Sequence, residues 1–170
     1  MLIVWVLIVL VIIAAVYLYF RKPYVMTGPE DVKPLDESVT PTVEIGEGMA
    51  ALRYGTTTVF LQVADDDAER ALGLGQRDSL GQGIDGMLFI LPNASQAGIW
   101  MKDMRFSIDI IWLDQDFKIV DIAKRVSPNT YPQTFTPRTP ANYVVELAAG
   151  KSDMLGLKIN NGFTLRAWRP

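Results

Sequence analysis

Three ionisable side chains, Lys102, Asp109 and Glu146, lie within or beside apolar stretches of the chain. A buried carboxylate must find a partner or remain protonated, and a buried lysine can have a lowered pKa. Only residues 103 to 108 separate Lys102 from Asp109, so the predicted strands that carry them could bring the two together. The pair is either a structural salt bridge or a reactive site in which Asp109 holds Lys102 as a base or nucleophile, and we expect the salt bridge.

Other chemistries are open to the same residues. Asp109 with Glu146 could form the two-carboxylate arrangement of a glycosidase, and Lys102 could form a dyad with one of two serines, Ser79 or Ser107. Arg77 and Glu146 flank predicted strand ends, where polar groups can converge on a pocket. The aromatic residues that could stack on a sugar ring or a peptide side chain are Trp100, Trp112, Tyr131 and Phe135, although a core position is simpler for most, especially Trp112. The candidate ligand-binding residues are therefore Arg77, Trp100, Lys102, Asp109 and Glu146.

The residue types that the chain lacks narrow the chemistry further. It has no Cys and no His, which excludes disulfides, thiolate nucleophiles, the Ser-His-Asp triad and the usual transition-metal ligands. The acidic triplet at residues 65–67 is more typical of a helix N-terminus than of a calcium site, so we predict no metal and no cofactor. A net charge of -3 provides no basic surface for nucleic acid.

The N-terminus carries the clearest localisation signal. Residues 2–20 contain no charged side chain, and as a helix they would span about 28 Å, close to the thickness of the bilayer hydrocarbon. We predict a transmembrane anchor at residues 1–22, a flexible tether at residues 23–48 and a globular domain at residues 49–170. The cations that follow the anchor favour a cytoplasmic domain under the positive-inside rule. A short N-terminal anchor usually exports the domain that follows it, however, and we expect a single-pass protein with an extracytoplasmic domain.

The elements that must position the candidate residues are mainly strands. Asp109 lies in an apolar run, residues 108–113, in which Asp109, Ile111 and Leu113 share one strand face and Ile108, Ile110 and Trp112 share the other, so a central strand covered on both sides is predicted. The predicted strands are Thr56–Val63, Met87–Leu91, Ile108–Leu113, Lys118–Val126, Tyr143–Leu147 and Phe163–Trp168. One helix begins at a capping box formed by Asp66 and Glu69 and stops at Gly73, and residues 148–155 could add a short one. This pattern predicts a compact, mainly β domain, a sandwich or barrel with one or two short helices.

An ordered series of motifs resembles one known family. The motifs are Glu69-Arg70-Ala71-x-Gly73-Leu74, Gly86-Met87-Leu88-Phe89, Trp100-Met101-Lys102, Asp109-Ile110-Ile111 and Pro140-Ala141-x-Tyr143-Val144-x-Glu146-Leu147-x-x-Gly150. Together they resemble the DUF-192 family of small, often exported or membrane-anchored proteins over about residues 58–168. The resemblance implies a mainly antiparallel, jelly-roll-like or barrel domain and no established activity. The chain departs from the family pattern at Gly75, Asp103, Met104 and Ser107-Ile108, and keeps Lys102 and Asp109.

From these features we expect a non-catalytic envelope binding or accessory module. Its pocket would be built around Trp100, Lys102, Asp109 and the proline-rich loop at residues 127–140. The alternatives are a hydrolase or lyase that uses Lys102 with carboxylates, and a scaffold in a membrane protein complex. The expected partners are the membrane, through the N-terminal helix, and an envelope glycan or a membrane protein.

Overall fold

The computed structural model describes residues 45–169. The predicted anchor at residues 1–22, and the tether as far as residue 44, lie outside the described residues. Within residues 45–169, no helix is both long enough and apolar enough to cross a membrane.

Strands dominate the part of the chain that the structure describes. The strands are β1 (Met49–Tyr54), β2 (Thr57–Ala64), β3 (Gly86–Ser95), β4 (Ile99–Trp100), β5 (Ile108–Leu113), β6 (Ile119–Val126), β7 (Thr134–Phe135), β8 (Ala141–Ala148) and β9 (Thr164–Arg169). The helices are α1 (Asp67–Leu72) and α2 (Lys151–Met154), with a 3-10 turn at Pro128–Thr130. Seven strands form one sheet in the order β6-β5-β8-β3-β2-β1-β9, and β4 pairs with β7. The prediction of a mainly β domain with one or two short helices is confirmed.

The large sheet is mixed, which corrects the expectation of an antiparallel jelly-roll-like sandwich. Strands β2 and β3 run parallel, with Leu61 opposite Gly86 and Val63 opposite Leu88, while the other ladders of the sheet are antiparallel. Parallel neighbours need a long crossover connection. Residues 65–85, which contain α1, supply that connection.

The seven-stranded sheet curls without closing into a barrel. Its edge strands are β6 and β9, which approach each other at one end through a bridge between Lys118 and Gly162. Beside that bridge, the Ile119 amide donates a hydrogen bond of 2.7 Å to the Asn161 carbonyl. The two edges therefore meet at the start of each strand, but they form no continuous ladder among the described residues.

Apolar side chains cover both faces of the sheet. One core contains Leu61, Leu88, Ile111, Leu113 and Val145, and the other contains Phe89, Ile108, Ile110, Trp112 and Val144. All six residues of β5 are buried, and β6 and β8 flank it. The prediction of a central strand covered on both sides, with Asp109 on the face of Ile111 and Leu113, is confirmed.

Helix α1 begins and ends as its sequence predicts. The Asp66 carboxylate accepts a hydrogen bond of 2.7 Å from the Glu69 amide, and the Glu69 carboxylate accepts one of 3.1 Å from the Asp65 amide. Gly73 ends the helix with a φ of 51°, a left-handed conformation that glycine adopts without steric cost. The next residue, Leu74, is buried in the core that contains Phe89, which fixes the C-terminal end of α1 against that face of the sheet.

Candidate functional site

Asp109 is a structural anion that ties three elements together. Its side chain is fully buried, and its Oδ2 accepts hydrogen bonds from the Gly150 amide (2.9 Å), the Ser152 amide (2.9 Å) and the Ser152 hydroxyl (2.6 Å). Its Oδ1 accepts a hydrogen bond of 2.7 Å from the Arg125 amide. The carboxylate thus joins β5 to the C-terminal end of β6 and to the start of α2.

These contacts also determine the ionisation of Asp109. Burial alone raises its pKa, but the hydrogen bonds from Ser152, Arg125 and Gly150 outweigh burial, so the pKa of this carboxyl lies below its ordinary value. None of the four hydrogen bonds comes from Lys102, whose side chain is exposed. The expected Lys102–Asp109 salt bridge is therefore not part of this structure, because main-chain and hydroxyl donors already satisfy the carboxylate.

A cleft with Glu146 in its lining lies on the opposite face of the sheet, and we name it the Glu146 cleft. Its volume is about 140 Å³. The cleft is lined by Arg70, Ala71, Leu72, Gly73, Leu74, Gly75, Phe89, Gly98, Ile99, Trp100, Lys102, Met104 and Glu146. It therefore lies where the end of α1, strand β4 and the centre of the sheet meet.

Glu146 is the chemically unusual group of this cleft. It lies in the middle of β8, opposite Met87 of β3 and Ile110 of β5, and only 5% of it is exposed. Its Oε2 atom is buried and has no hydrogen-bond partner within residues 45–169. Burial raises the pKa of Glu146 to about 8, although the charge of Arg77 opposes this effect. At pH 7 the side chain is therefore mostly a neutral carboxylic acid that can donate a hydrogen bond.

Trp100 and Lys102 form the outer part of the cleft. Trp100 is 53% exposed and lies in the short strand β4, where it pairs with Thr134 of β7. The neighbouring Gly98 allows this pairing, since a Cβ atom there would lie 2.2 Å from the Thr134 methyl carbon. The loop at residues 127–140, which we expected to line the pocket, does not line this cleft. Its strand β7 instead pairs with β4.

Arg70 of α1 lines the Glu146 cleft and is not among the site residues predicted from the sequence. Its guanidinium donates hydrogen bonds to the Ile90 carbonyl (2.9 Å), to Oδ1 of Asp67 (2.6 Å) and to the Asp65 carbonyl. Its side chain is largely buried, with 18% exposed. These contacts fasten α1 to β3, so we assign Arg70 a supporting role. The only sequence signal for it is its place in the Glu69-Arg70-Ala71 motif.

Arg77 lies in a neighbouring cleft, which we name the Arg77 cleft. This cleft has a volume of about 370 Å³ and is lined by Glu47, Gly48, Met49, Gln62, Val63, Glu69, Leu72, Gly73, Arg77 and Met87. The Arg77 guanidinium donates a hydrogen bond to the Gln62 side-chain carbonyl. It also acts electrostatically on Glu146, so the two clefts are close enough for their charges to interact.

The structure does not bring the proposed catalytic pairs together. Asp109 pairs with Leu147, and Glu146 pairs with Ile110, so the two carboxyl groups are one ladder position apart and point to opposite faces of the sheet. They do not form a glycosidase pair. Neither Ser79 nor Ser107 lines the cleft that contains Lys102, so the structure offers no Ser-Lys dyad there.

The other aromatic candidates lie outside the cleft. Trp112 is 1% exposed and belongs to the core, as expected, and its indole donates a long hydrogen bond of 3.4 Å to the Ala97 carbonyl. Phe135 packs against the same core. Tyr131 is exposed, but it is not among the residues that line either cleft. Trp100 alone among the four aromatic candidates lines the Glu146 cleft, within the part of the chain that the structure describes.

The arrangement favours recognition by hydrogen bonding and surface contact. The Glu146 cleft combines a neutral acid, an exposed indole and the exposed amine of Lys102. Across residues 45–169, no group of three or more acidic, His or Cys side chains is placed to hold a metal ion. The chemistry of this cleft is therefore that of a hydrogen-bond donor, a flat apolar surface and two positive charges, of which that of Arg70 is paired with Asp67.

The chain matches the model of a known protein family. The family model DUF192, described as Uncharacterized ACR, matches residues 49–165. A UPF0127 protein of Thermococcus sibiricus is 35% identical over 77 residues, which is 44% of this chain and 47% of the relative. A UPF0127 protein of Pyrococcus horikoshii is 31% identical over 100 residues, which is 56% of this chain and 77% of the relative. The chain thus spans about half the length of the Thermococcus relative.

Two solved structures have a similar fold. One, from Sinorhizobium meliloti 1021 and described as a suggested transcription regulator, superimposes with a TM-score of 0.65 at 23% identity, over 72% of this chain and 98% of that chain. The other, a protein of unknown function from Novosphingobium aromaticivorans, superimposes with a TM-score of 0.60 at 24% identity, over 68% of this chain and 83% of that chain. At these identities the likeness concerns the fold alone.

Proposed function

We propose that this chain, which belongs to the DUF192 family, is a ligand-binding module whose binding site is the Glu146 cleft. One observation carries the proposal. The buried Oε2 of Glu146 has no hydrogen-bond partner among the described residues, and Glu146 lines a cleft that also exposes Trp100 and Lys102. A ligand that accepts a hydrogen bond from Glu146 would supply the missing partner.

Energetics support a binding role for this carboxyl group. An unsatisfied buried polar group costs about 1 to 3 kcal/mol of folding stability, and buried polar groups in native proteins nearly always have partners. The sheet could place an apolar residue at this position, as it does at Val144 on the same face of β8. A ligand that pairs with Glu146 would explain why the chain has an acid here in spite of its cost in stability.

The cleft also indicates the chemistry of the ligand. Protonated Glu146 suits a carbonyl or hydroxyl oxygen, the exposed face of Trp100 suits a flat apolar surface, and Lys102 suits a negative group. Sugar rings and other compact polar molecules combine such features. A volume of about 140 Å³ fits one such ring or group.

An acid-base enzyme is the second candidate, and the raised pKa of Glu146 favours it. A carboxylic acid with a pKa of about 8 has the value expected of a general acid near neutral pH. Hydrolysis by this route also needs a group that activates water, and Asp109 lies on the other face of the sheet. Apart from Glu146, the ionisable groups that line the cleft are Lys102 and Arg70, and Arg70 is held by its own hydrogen bonds. Within residues 45–169, the cleft therefore has no second carboxylate to activate water, and binding without turnover is the better supported role.

The cellular setting is also part of the proposal. We propose that residues 1–22 anchor the chain in a membrane and hold the domain on the extracytoplasmic side, where an envelope glycan or a membrane protein is the partner. The uncharged segment at residues 2–20 supports the anchor. Membrane fractionation of the full-length chain and of a chain without residues 1–22, with protease protection to report the side, tests this part. A scaffold would instead capture a protein partner only when the anchor is present.

The binding site can be tested by NMR on the full-length protein labelled with ¹⁵N. The probes are single sugars and sugar acids, and amide shifts should map to the residues of the Glu146 cleft. Trp100→Ala should weaken binding, whereas Trp168→Ala should not, since Trp168 is similarly exposed (45%) but lies on β9. Glu146→Leu should also weaken binding, and Glu146→Gln should largely preserve it because the amide can still donate. Shifts that map elsewhere, or binding that Glu146→Leu leaves unchanged, would show that this cleft is not the site, and release of a product would favour the enzyme.

A further inference from the structure

The two clefts lie along one row of side chains that crosses the sheet. Met49 of β1 is opposite Gln62 of β2, Gln62 is opposite Met87 of β3, and Met87 is opposite Glu146 of β8. Residues directly opposite each other on neighbouring strands point to the same face. Met49, Gln62 and Met87 line the Arg77 cleft, and Glu146 lines the Glu146 cleft. One row of four residues therefore runs from one cleft into the other.

The C-terminal end of α1 crosses above this row. Leu72 and Gly73 line both clefts, so the boundary between the clefts lies at these two residues. Gly73 has no side chain, and a Cβ atom there would lie 3.2 Å from the Phe89 ring. Leu72 is 53% exposed and can move aside more easily than a packed residue.

We propose that the two clefts form one groove and that its ligand is a linear, acidic oligosaccharide. This inference rests on the proposed function, because it extends the ligand of the Glu146 cleft into the Arg77 cleft. Three steps of about 4.8 Å between strands give a length of about 14 Å, roughly that of three linked sugar rings.

The direction of the groove favours a sugar chain over a peptide. An extended peptide usually binds along a free strand edge, where main-chain groups are available. Strands β2, β3 and β8 are each paired on both sides, so the groove offers side chains instead of main-chain hydrogen bonds. Gln62 and protonated Glu146 suit hydroxyl groups, and Trp100 offers a flat surface at the Glu146 end.

The distribution of charge along the groove determines the end at which the acidic group of the ligand binds. Glu47 and Glu69 line the Arg77 cleft together with Arg77, so positive and negative charges are mixed at that end. Lys102 is exposed at the other end, where the one carboxyl group of the lining, that of Glu146, is mainly protonated at pH 7. The excess of positive charge therefore lies beside Trp100 and Lys102, and the acidic group of the ligand binds there.

The test is calorimetry and NMR on the full-length protein with oligomers of galacturonic, glucuronic and mannuronic acid, one to four units long. Uncharged cello-oligosaccharides of the same lengths are the comparison. At least one acidic series should bind about tenfold more tightly as a trimer than as a monomer, with little further gain for the tetramer, if two added units each contribute part of a hydrogen bond's free energy. The trimer should shift amides of both clefts, and the uncharged trimer should bind less tightly.

Two variants separate the groove from the single cleft. Gln62→Ala should lower the affinity for the trimer about fivefold relative to the affinity for the monomer, the effect of losing one neutral hydrogen bond. Thr58→Ala is the matched control, because Thr58 lies on the same strand and face as Gln62 but lines neither cleft.

The outcomes distinguish this inference from the proposed function. Binding that does not depend on length, shifts confined to the Glu146 cleft, or equal affinity for uncharged chains would overturn the inference while leaving the binding module in place. Binding of single sugars or sugar acids with no binding of any acidic chain would do the same. If neither single sugars nor chains bind in the Glu146 cleft, both proposals are wrong.

Discussion

Replacement of Glu146 by glutamine should change how the stability of the protein depends on pH. Glutamine has nearly the same shape as protonated glutamate, but it does not titrate. Burial raises the pKa of Glu146 from an ordinary value of 4.5 to about 8. Between these values the folded state keeps a proton that the unfolded state has lost. The stabilising effect of that proton is therefore fully present below about pH 4.5 and is lost as the pH rises through about 8.

The magnitude follows from proton linkage. While the folded state binds one more proton than the unfolded state, stability falls by about 1.4 kcal/mol for each pH unit. Over the interval from 4.5 to about 8, the total loss for the wild type is on the order of 5 kcal/mol. The chain has no His, so the other group expected to titrate in this range is the α-amino group, near pH 7.7 to 8.0. That group is common to the wild type and the variant.

The assay is urea unfolding of the full-length protein at pH values from 5 to 9, followed by circular dichroism. Glu146→Gln should have nearly the same free energy of unfolding as the wild type at pH 5. It should lose much less stability as the pH rises, and it should be the more stable protein at pH 9. Glu47→Gln is the matched control, since Glu47 is exposed and its replacement should leave the slope of the wild type in place. Parallel curves for the wild type and Glu146→Gln would refute the reasoning, because they would mean that Glu146 is ionised in the folded protein at neutral pH.

The remaining predictions concern the contacts of Asp109 and one close-packed glycine. Asp109→Asn should lower the free energy of unfolding by about 3 to 5 kcal/mol, because buried donors lose a charged acceptor. A cost below about 1 kcal/mol would contradict a structural role for Asp109. Lys102→Met should change the free energy of unfolding by less than about 0.5 kcal/mol, and its effect should add to that of Asp109→Asn in the double variant. Strong coupling between the two changes in urea unfolding would instead indicate that the salt bridge exists. Gly86→Ala should cost more than about 3 kcal/mol, since its Cβ would lie 1.8 Å from the Glu146 carbonyl oxygen. Gly46→Ala, whose Cβ would have only Met49 at 3.8 Å, should melt like the wild type, and equal melting temperatures for all three proteins would contradict the steric argument.

Local patterns predicted much of the domain correctly. The two-sided burial of β5 follows from the five apolar residues among its six. The limits of α1 follow from Asp66, Glu69 and Gly73, which act within one or two turns of chain. The family was predicted from the order of its motifs, and the match over residues 49–165 confirms it. These features depend on neighbours in the sequence, so one sequence is enough to find them.

Features that depend on distant pairing were predicted less well. Strand β1 was not predicted, although Ala50 and Leu52 are buried in it, because two of its six residues are alanine, which is depleted in strands. The parallel pairing of β2 with β3 was missed even though α1 lies between them, the pattern typical of a crossover. Lys102 and Asp109 are close in sequence, yet the strand that carries Asp109 turns its carboxylate toward residues 150 and 152, which the sequence alone could not reveal.

The contrast between the two buried carboxyl groups supports the proposal that a ligand binds on the face of the sheet that carries Glu146. Asp109 and Glu146 occupy adjacent positions in the β5–β8 ladder, and both are nearly inaccessible to solvent. Asp109 accepts four hydrogen bonds, which lower its pKa. The buried Oε2 of Glu146 accepts none within the described residues, and burial raises its pKa. Since burial is common to both, the difference lies in the donors on each face. Asp109 has its own hydrogen-bond partners and contributes stability, whereas the buried Oε2 of Glu146 lacks a partner among the described residues, and this is where we propose that a ligand binds.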